Sequence, residues 1–492
     1  MLSRNIAPIT AELYVVPVED AYLVYAPLRQ AAFLANAATV NRIVDLQGGS
    51  ADAEDSETIT LVEFLRRLEI VDGEPEVPPI TRYSDAPQPT QVTLFLTTSC
   101  NLRCGYCYAA AGDTPRKAMP AEVARRGIDF VVANAVALGR DEIQISYHGG
   151  GEPTTNWPTL VASFHYARKR AAQAGLRARG WLTTNGVLTA RKVRWITSHL
   201  ETACVSFDGL PEVHDTYRRT RTGKGSSHQV LRTLRRFEDA GFPYALRMTV
   251  TSDQANRLAE SIAYIFGHCH PQRIQVEPAD LLGRWKDAPS VATQAFLDGF
   301  REAQAVARSC GGEIRFSAAR VGTLSNHFCG ASQDSFSLTA DGSVSACYQV
   351  FLERLSLASV FIYGRYDAQG GAFRFDTAAL EHLRRQTVDR SAFCGGCFAR
   401  WNCGGDCYHK MLTANGPGEF TGSERCHIVR ELTKDQILDR IAAAGGLFWH
   451  EAPAMPTAGI APVRSDSPTH AETRTPARRS RRLAWRGRKE QH

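Results

Sequence analysis

Cys100, Cys104 and Cys107, in the run Ser-Cys-Asn-Leu-Arg-Cys-Gly-Tyr-Cys-Tyr, constrain this chain more than any other feature. They follow a strand candidate and close a short loop. A four-iron–four-sulfur cube normally takes four thiolates, and this loop offers three, which leaves one iron open to a small molecule. The competing reading is a zinc knuckle, which wants a fourth Cys or His close by. The loop contains none.

Composition sets the frame around that loop. With 492 residues and 43% hydrophobic content, the chain is long enough for two or three domains with real cores. It has no apolar run of membrane-spanning length and no basic-then-apolar N-terminus, so neither a membrane nor export is expected. Thirteen cysteines without an export signal argue for reduced, metal-holding thiols, a cytoplasmic location and oxygen sensitivity. The net charge of +6 is concentrated at one end: residues 446–492 carry nine Lys/Arg and four Asp/Glu. That segment reads as a disordered, solvated basic tail. The remainder shows no basic stripe interleaved with aromatics, so no nucleic-acid partner is expected.

Patterning divides the rest into three. Residues 1–85 carry short β-type runs (Glu12 to Val18, Ala21 to Ala26, Ala31 to Leu34) and helical patterns over Ala38 to Leu46 and Thr60 to Leu68, suiting a small winged-helix-like domain. Prolines 78, 79, 87 and 89 mark a linker. Residues 90–310 alternate strand and helix. Strands are expected at Gln91–Thr98, Glu142–Tyr147, Gly180–Thr184, Ala203–Phe207, Ala245–Val250 and Arg273–Glu277. Six such units predict an α/β fold with a partial (β/α)6 barrel, whose chemistry collects at the C-terminal strand ends. Residues 311–445 lose the alternation and hold seven cysteines between Cys329 and Cys426. They look too poor in periodic apolar sequence for a large core, so metal is expected to supply folding energy.

Further motifs fall at the strand ends. Gly149, Gly150 and Gly151 precede Glu152 and Pro153, a turn in which backbone can approach a ligand closely. The next two strands end in Thr-Thr-Asn185-Gly and Val-Ser206-Phe-Asp208-Gly, followed by His-Asp-Thr-Tyr-Arg218. His148 reads as a packed histidine. Cysteine loop, Tyr106 before its last cysteine, glycine turn and Arg218 together resemble the radical S-adenosylmethionine (SAM) enzymes, over more than a hundred residues and in the same order. The resemblance implies that SAM binds the open iron. Gly149 to Pro153 would meet its methionine amino group, Ser206 its ribose and Arg218 its carboxylate. Tyr106, Asn185 and Asp208 complete the expected cofactor contacts.

The spacing Cys329…Cys347 and Cys394-x2-Cys397-x5-Cys403-x3-Cys407…Cys426 resembles the SPASM extension of peptide- and protein-modifying members. It implies one auxiliary four-iron–four-sulfur cluster on Cys394, Cys397, Cys403 and Cys426, and another on Cys329, Cys347 and Cys407. The cysteine that relatives carry just before the position of Cys329 is missing, so the second cluster is expected to keep an open iron. The alternative for this module is a pair of zinc sites. Cys204, Cys269 and Cys310 read as buried structural residues. The resemblance implies a 5′-deoxyadenosyl radical that oxidatively modifies a ribosomally made precursor peptide, by a thioether or carbon–carbon crosslink. The reductant would be a flavodoxin or ferredoxin, and residues 1–85 would recognise a leader peptide or cap the barrel. The second reading is an anaerobic sulfatase-maturing enzyme. It is weakened because Tyr348 stands where that family has its proposed Asp base. The third is a non-catalytic metal scaffold. Tyr348, Glu277, Asp406 and Tyr408 are the candidate acid–base residues, and Tyr348 is taken as the catalytic candidate.

Overall fold

A computed structural model describes residues 9–416 and 418–451. Strict alternation decides the central sheet. In β5 (Glu142–His148), Ile143, Ile145 and Tyr147 are fully buried on the helix side. Gln144, Ser146 and His148 occupy the other face, which becomes the lumen. The same period runs through β6 (Arg177–Thr184) from Gly180 onward, β7 (Thr202–Ser206) and β8 (Tyr244–Val250), whereas β4 (Gln91–Phe95) and β9 (Ile274–Pro278) bury residues of both faces. These strands pair in parallel in chain order, with helices between them that bury Ile128, Phe164, Ile196, Leu234 and Ile262. The expected α/β architecture with a central parallel sheet is present.

Three expectations need correction. The parallel set does not end at residue 310, because β10 (Ile314–Arg315) pairs in parallel with β9. The cysteine-rich segment also does not fold on metal alone. Its strands β11 (Ser337–Leu338), β12 (Ser343–Ser345), β13 (Ile362–Asp367) and β14 (Ala372–Phe375) extend the same sheet from the free side of β4. Leu338, Val344, Phe361 and Tyr363 then join the principal core, so the apolar effect holds this segment too.

The third correction concerns the tail. In the N-terminal part, β1 (Tyr14–Val18), β2 (Ala21–Ala26) and β3 (Ala31–Ala35) form an antiparallel meander. Helices Ala37–Gly48 and Ser56–Arg67 follow, their first turns capped by Asn36 and Asp55. The fourth strand of this sheet is β15 (Phe448–His450), paired antiparallel with β3. Residues 448–450 therefore belong to a sheet, not to the disordered tail expected from 446. The remaining tail residues, 452–492, lie outside the described residues.

Candidate active site

The cysteine loop leaves β4 and is fastened from three sides. The segment after β7 receives its backbone, with Arg103 N–H donating to Arg219 O at 2.7 Å and Gly105 N–H to Tyr217 O at 2.9 Å. The turn after β9 covers it: Arg284 donates to Cys104 O at 3.0 Å and Ala111 O at 2.7 Å, and its backbone N–H to Cys107 O at 3.2 Å. Gly283 lies at φ +57°, and a Cβ there would stand 2.3 Å from Cys107 O. The glycine turn is the third fastening, through Tyr108 Oη donating to Gly149 O at 3.1 Å.

The thiols are shielded. Burial pushes Cys100 up to about 11 and Cys104 up to about 12, with neighbouring thiols adding to both and Arg218 opposing at Cys104. Cys100 Sγ accepts Leu102 N–H at 3.3 Å and Asn185 Nδ2 at 3.7 Å. Iron takes thiolates, so loading this loop must release protons.

The glycine turn is close-fitting. A Cβ at Gly151 would lie 2.3 Å from Ser99 O, and one at Gly150 would strike the ring of Phe351. Glu152 is buried and turned inward. It accepts Thr184 Oγ1 at 2.9 Å, Thr154 N–H at 3.2 Å and Asn185 N–H at 2.8 Å, which locks the turn to the end of β6. Pro153 opens the short turn Pro153–Asn156 that leads into the next helix. Asn185 also donates to Asn101 Oδ1 at 2.7 Å, beside Cys100.

Asp208 and Arg218 form a buried ion pair, Nε to Oδ2 at 2.8 Å and Nη2 to Oδ1 at 3.1 Å. Tyr106 Oη donates to Oδ2 and Thr249 N–H to Oδ1, so both carboxylate oxygens are committed. Burial alone would raise Asp208, but the guanidinium holds it below the ordinary carboxylate value. Asp208 thus holds Arg218 and Tyr106 through both of its oxygens. Arg218 spends its fork on Asp208, leaving Nη1 uncommitted among the described residues. Ser206 Oγ, at the end of β7, likewise has no hydrogen-bond partner among them.

Of the ten remaining cysteines, Cys269 is buried as expected, whereas Cys204 is half-buried and Cys310 exposed; the other seven lie in the C-terminal segment. Cys394, Cys397, Cys403 and Cys426 line one cavity with Phe393 and Phe420. Cys329, Cys347 and Cys407 lie within electrostatic reach of one another. Among the described residues, no three His, Cys, Asp or Glu side chains converge closely enough to hold a single metal ion. Tetrahedral zinc would draw its thiolates to about 3.8 Å apart, whereas each thiolate of a cube binds a different iron and stands farther off.

Of the acid–base candidates, Glu277 and Asp406 are occupied. Arg425 bridges them, Nη1 to Glu277 Oε2 at 3.2 Å and Nε to Asp406 Oδ2 at 2.9 Å. Tyr408 Oη pairs with His382 at 2.9 Å. Tyr348 does reach the lumen. It lies against His148, ring centroids 4.7 Å apart, with its hydroxyl 3.3 Å from Thr93 Oγ1. His148 is neutral: burial, aided by Arg247, lowers it to about 4, and its Nδ1 accepts Gly149 N–H.

Residues 94–263 match the model of the radical SAM superfamily. They are a radical SAM domain. Sporulation killing factor maturation protein SkfB of Bacillus subtilis (strain 168) is 26% identical over 186 residues, 36% of this chain and 40% of SkfB. The chain therefore spans well under two thirds of that relative. Mycofactocin maturase MftC of Mycobacterium ulcerans (strain Agy99) is 27% identical over 347 residues, 67% of this chain and 86% of MftC. The solved structure of native anSMEcpe with bound AdoMet superposes with a TM-score of 0.58 over 72% of this chain and 98% of that one; at 18% identity this shows a shared fold.

Radical SAM enzymes use a 4Fe–4S cluster and SAM. The residues here fit both. The cysteine loop supplies three soft donors and no competing carboxylate. The glycine turn, Ser206 Oγ and Arg218 Nη1 leave polar groups uncommitted at neighbouring strand ends. Sequence reading missed Arg284 and Phe351, which pack against the cysteine loop and the glycine turn. Their one available signal was position, since Arg284 sits in the turn directly after a barrel strand.

Proposed function

We propose that this chain is a radical SAM peptide maturase that oxidatively crosslinks a ribosomally made peptide. The observation that carries the reading is the sorting of ten cysteines into three separate sets, one at the barrel mouth and two in the C-terminal segment. A 4Fe–4S cluster and SAM, held by the residues named below, would supply the one-electron, hydrogen-abstracting chemistry. The chain's own residues position and shield that chemistry. Cys100, Cys104 and Cys107 would hold the first cluster. Gly149 to Pro153, Asn185, Ser206 and Arg218 would seat SAM, and Asp208 with Tyr106 would fix Arg218. Phe95, Phe351 and Leu352 pack around the loop and exclude water. Cys394, Cys397, Cys403 and Cys426 would hold a SPASM-type auxiliary cluster, and Cys329, Cys347 and Cys407 another with an open iron. Tyr348, in the lumen, is the candidate proton donor. A cytoplasmic flavodoxin or ferredoxin would deliver electrons. Two relatives named as maturases support a peptide substrate. The formylglycine alternative is not favoured, because the residue after Cys347 is a tyrosine.

Anaerobic reconstitution tests this. About twelve iron atoms per chain and conversion of SAM to 5′-deoxyadenosine are expected, and about four iron atoms would refute the auxiliary clusters. Coexpression with short peptides from neighbouring reading frames should give a product lighter by two hydrogens. Conversion of a Cys or Ser to an aldehyde would refute the crosslinking reading.

A further inference from the structure

One cation in the barrel lumen, Arg247, makes no ion pair or side-chain hydrogen bond among the described residues. Arg218, Arg284 and Arg425 each hold a carboxylate or carbonyl. The side chain of Arg247 is exposed. Its orientation follows from the strand. Leu246, Met248 and Val250 turn into the helix-side core, which leaves Arg247 and Thr249 on the lumen face of β8. Parallel pairing sets Arg247 level with Ser206 on β7 and Gln275 on β9. Its field crosses the lumen to His148 on β5, three strands away, and reaches Tyr108 in the cysteine loop.

Glu277 on β9 lies within the field of Arg247 but makes no direct contact with it. Arg425, Ser317 N–H and Gln275 Nε2 take up that carboxylate. Nor is Arg247 the cation beside the cluster, because the guanidinium acting on Cys104 is that of Arg218. An unpaired guanidinium inside a protein-walled lumen favours an anion, and its planar fork matches a carboxylate. We infer that Arg247 holds a carboxylate of the substrate, an acidic side chain or a C-terminus, and so sets which residue of a peptide is presented to the site. The inference rests on the SAM site proposed above.

The test uses the full chain, reconstituted without oxygen and loaded with SAM, with three capped amino acids titrated by calorimetry. N-acetylglutamate N-methylamide probes a side-chain carboxylate, N-acetylalanine a C-terminal one, and N-acetylglutamine N-methylamide is the uncharged control. One of the two carboxylates should bind about tenfold more tightly than the amide, and Arg247→Gln should abolish that preference. Arg247→Lys should retain part of it, and it decides the matter if Arg247→Gln does not retain iron. Equal binding of all three by the unaltered chain, or a preference that survives in Arg247→Gln, overturns the inference. A tenfold loss of SAM affinity in Arg247→Gln with unchanged capped-glutamate binding also overturns it, because the carboxylate would then be that of SAM. Failure of the unaltered chain to bind SAM would overturn the cofactor-site reading instead.

Discussion

At the scale of single residues, the site is built by pairs in which one partner faces a ligand and the other holds it still. Asp208 and Arg218 are the clearest case, with Tyr106 and Thr249 completing the carboxylate's shell. Removing one charge from a buried pair strands the other, at a cost of about 3–5 kcal/mol. Asp208→Asn should therefore lower the unfolding free energy by about that amount and weaken SAM binding at least about tenfold. Iron content should stay near that of the unaltered chain. Calorimetry and denaturant melts read the two effects separately, and unchanged SAM affinity would show that Arg218 needs no positioning. The nearest thing to this in the sequence was Asp208 as a ligand contact. The commitment of its oxygens was hidden because it depends on Tyr106 and Thr249, 102 and 41 residues away.

Elements were legible where their period was local. The alternation of β5 and the strand-end motifs Gly149–Pro153, Asn185 and Ser206 stand where the sequence puts them, because a strand declares its two faces within a few residues. Contacts between distant elements leave no such trace. The pairing of β15 with β3 and the clasp of the β9 turn over the cysteine loop, 180 residues apart at Arg284 and Cys104, are of this kind. The clasp gives the element-scale prediction. Gly283 adopts a left-handed conformation with Cys107 O and Tyr108 O less than 2.5 Å from any added Cβ. Gly283→Ala must push the loop or the turn away. Reconstituted protein should then lose iron corresponding to one cluster, and bleach faster under chelator, while any iron held by the C-terminal cysteines is retained. Full iron content in Gly283→Ala would mean that the loop holds its cluster without the turn.

For the molecule as a whole, one buried charge chain joins the barrel to the cysteine-rich segment. Glu277 closes β9, Asp406 precedes Cys407, and Arg425 precedes Cys426 and bridges the two carboxylates. The barrel and the two auxiliary cysteine sets are thereby tied to one guanidinium, which also lies over the ring of Phe316. Burial works to raise Glu277, yet Arg425, with Lys410 and Arg247, brings it down to about 2 from an ordinary 4.5. A carboxylate held below its unfolded value stabilises the fold above that value, and the contribution fades as pH falls through the folded one. A depression of this size corresponds to about 3 kcal/mol at neutral pH. Urea unfolding of the metal-free chain under reductant should show Glu277→Gln less stable than the unaltered chain by roughly that amount at about pH 6.5. The gap should narrow steadily between about pH 4.5 and pH 3, where the unfolded chain takes up the proton that folded Glu277 still refuses. A gap independent of pH would locate the cost in packing, and the charge chain would then not be what couples the barrel to its cysteine-rich extension.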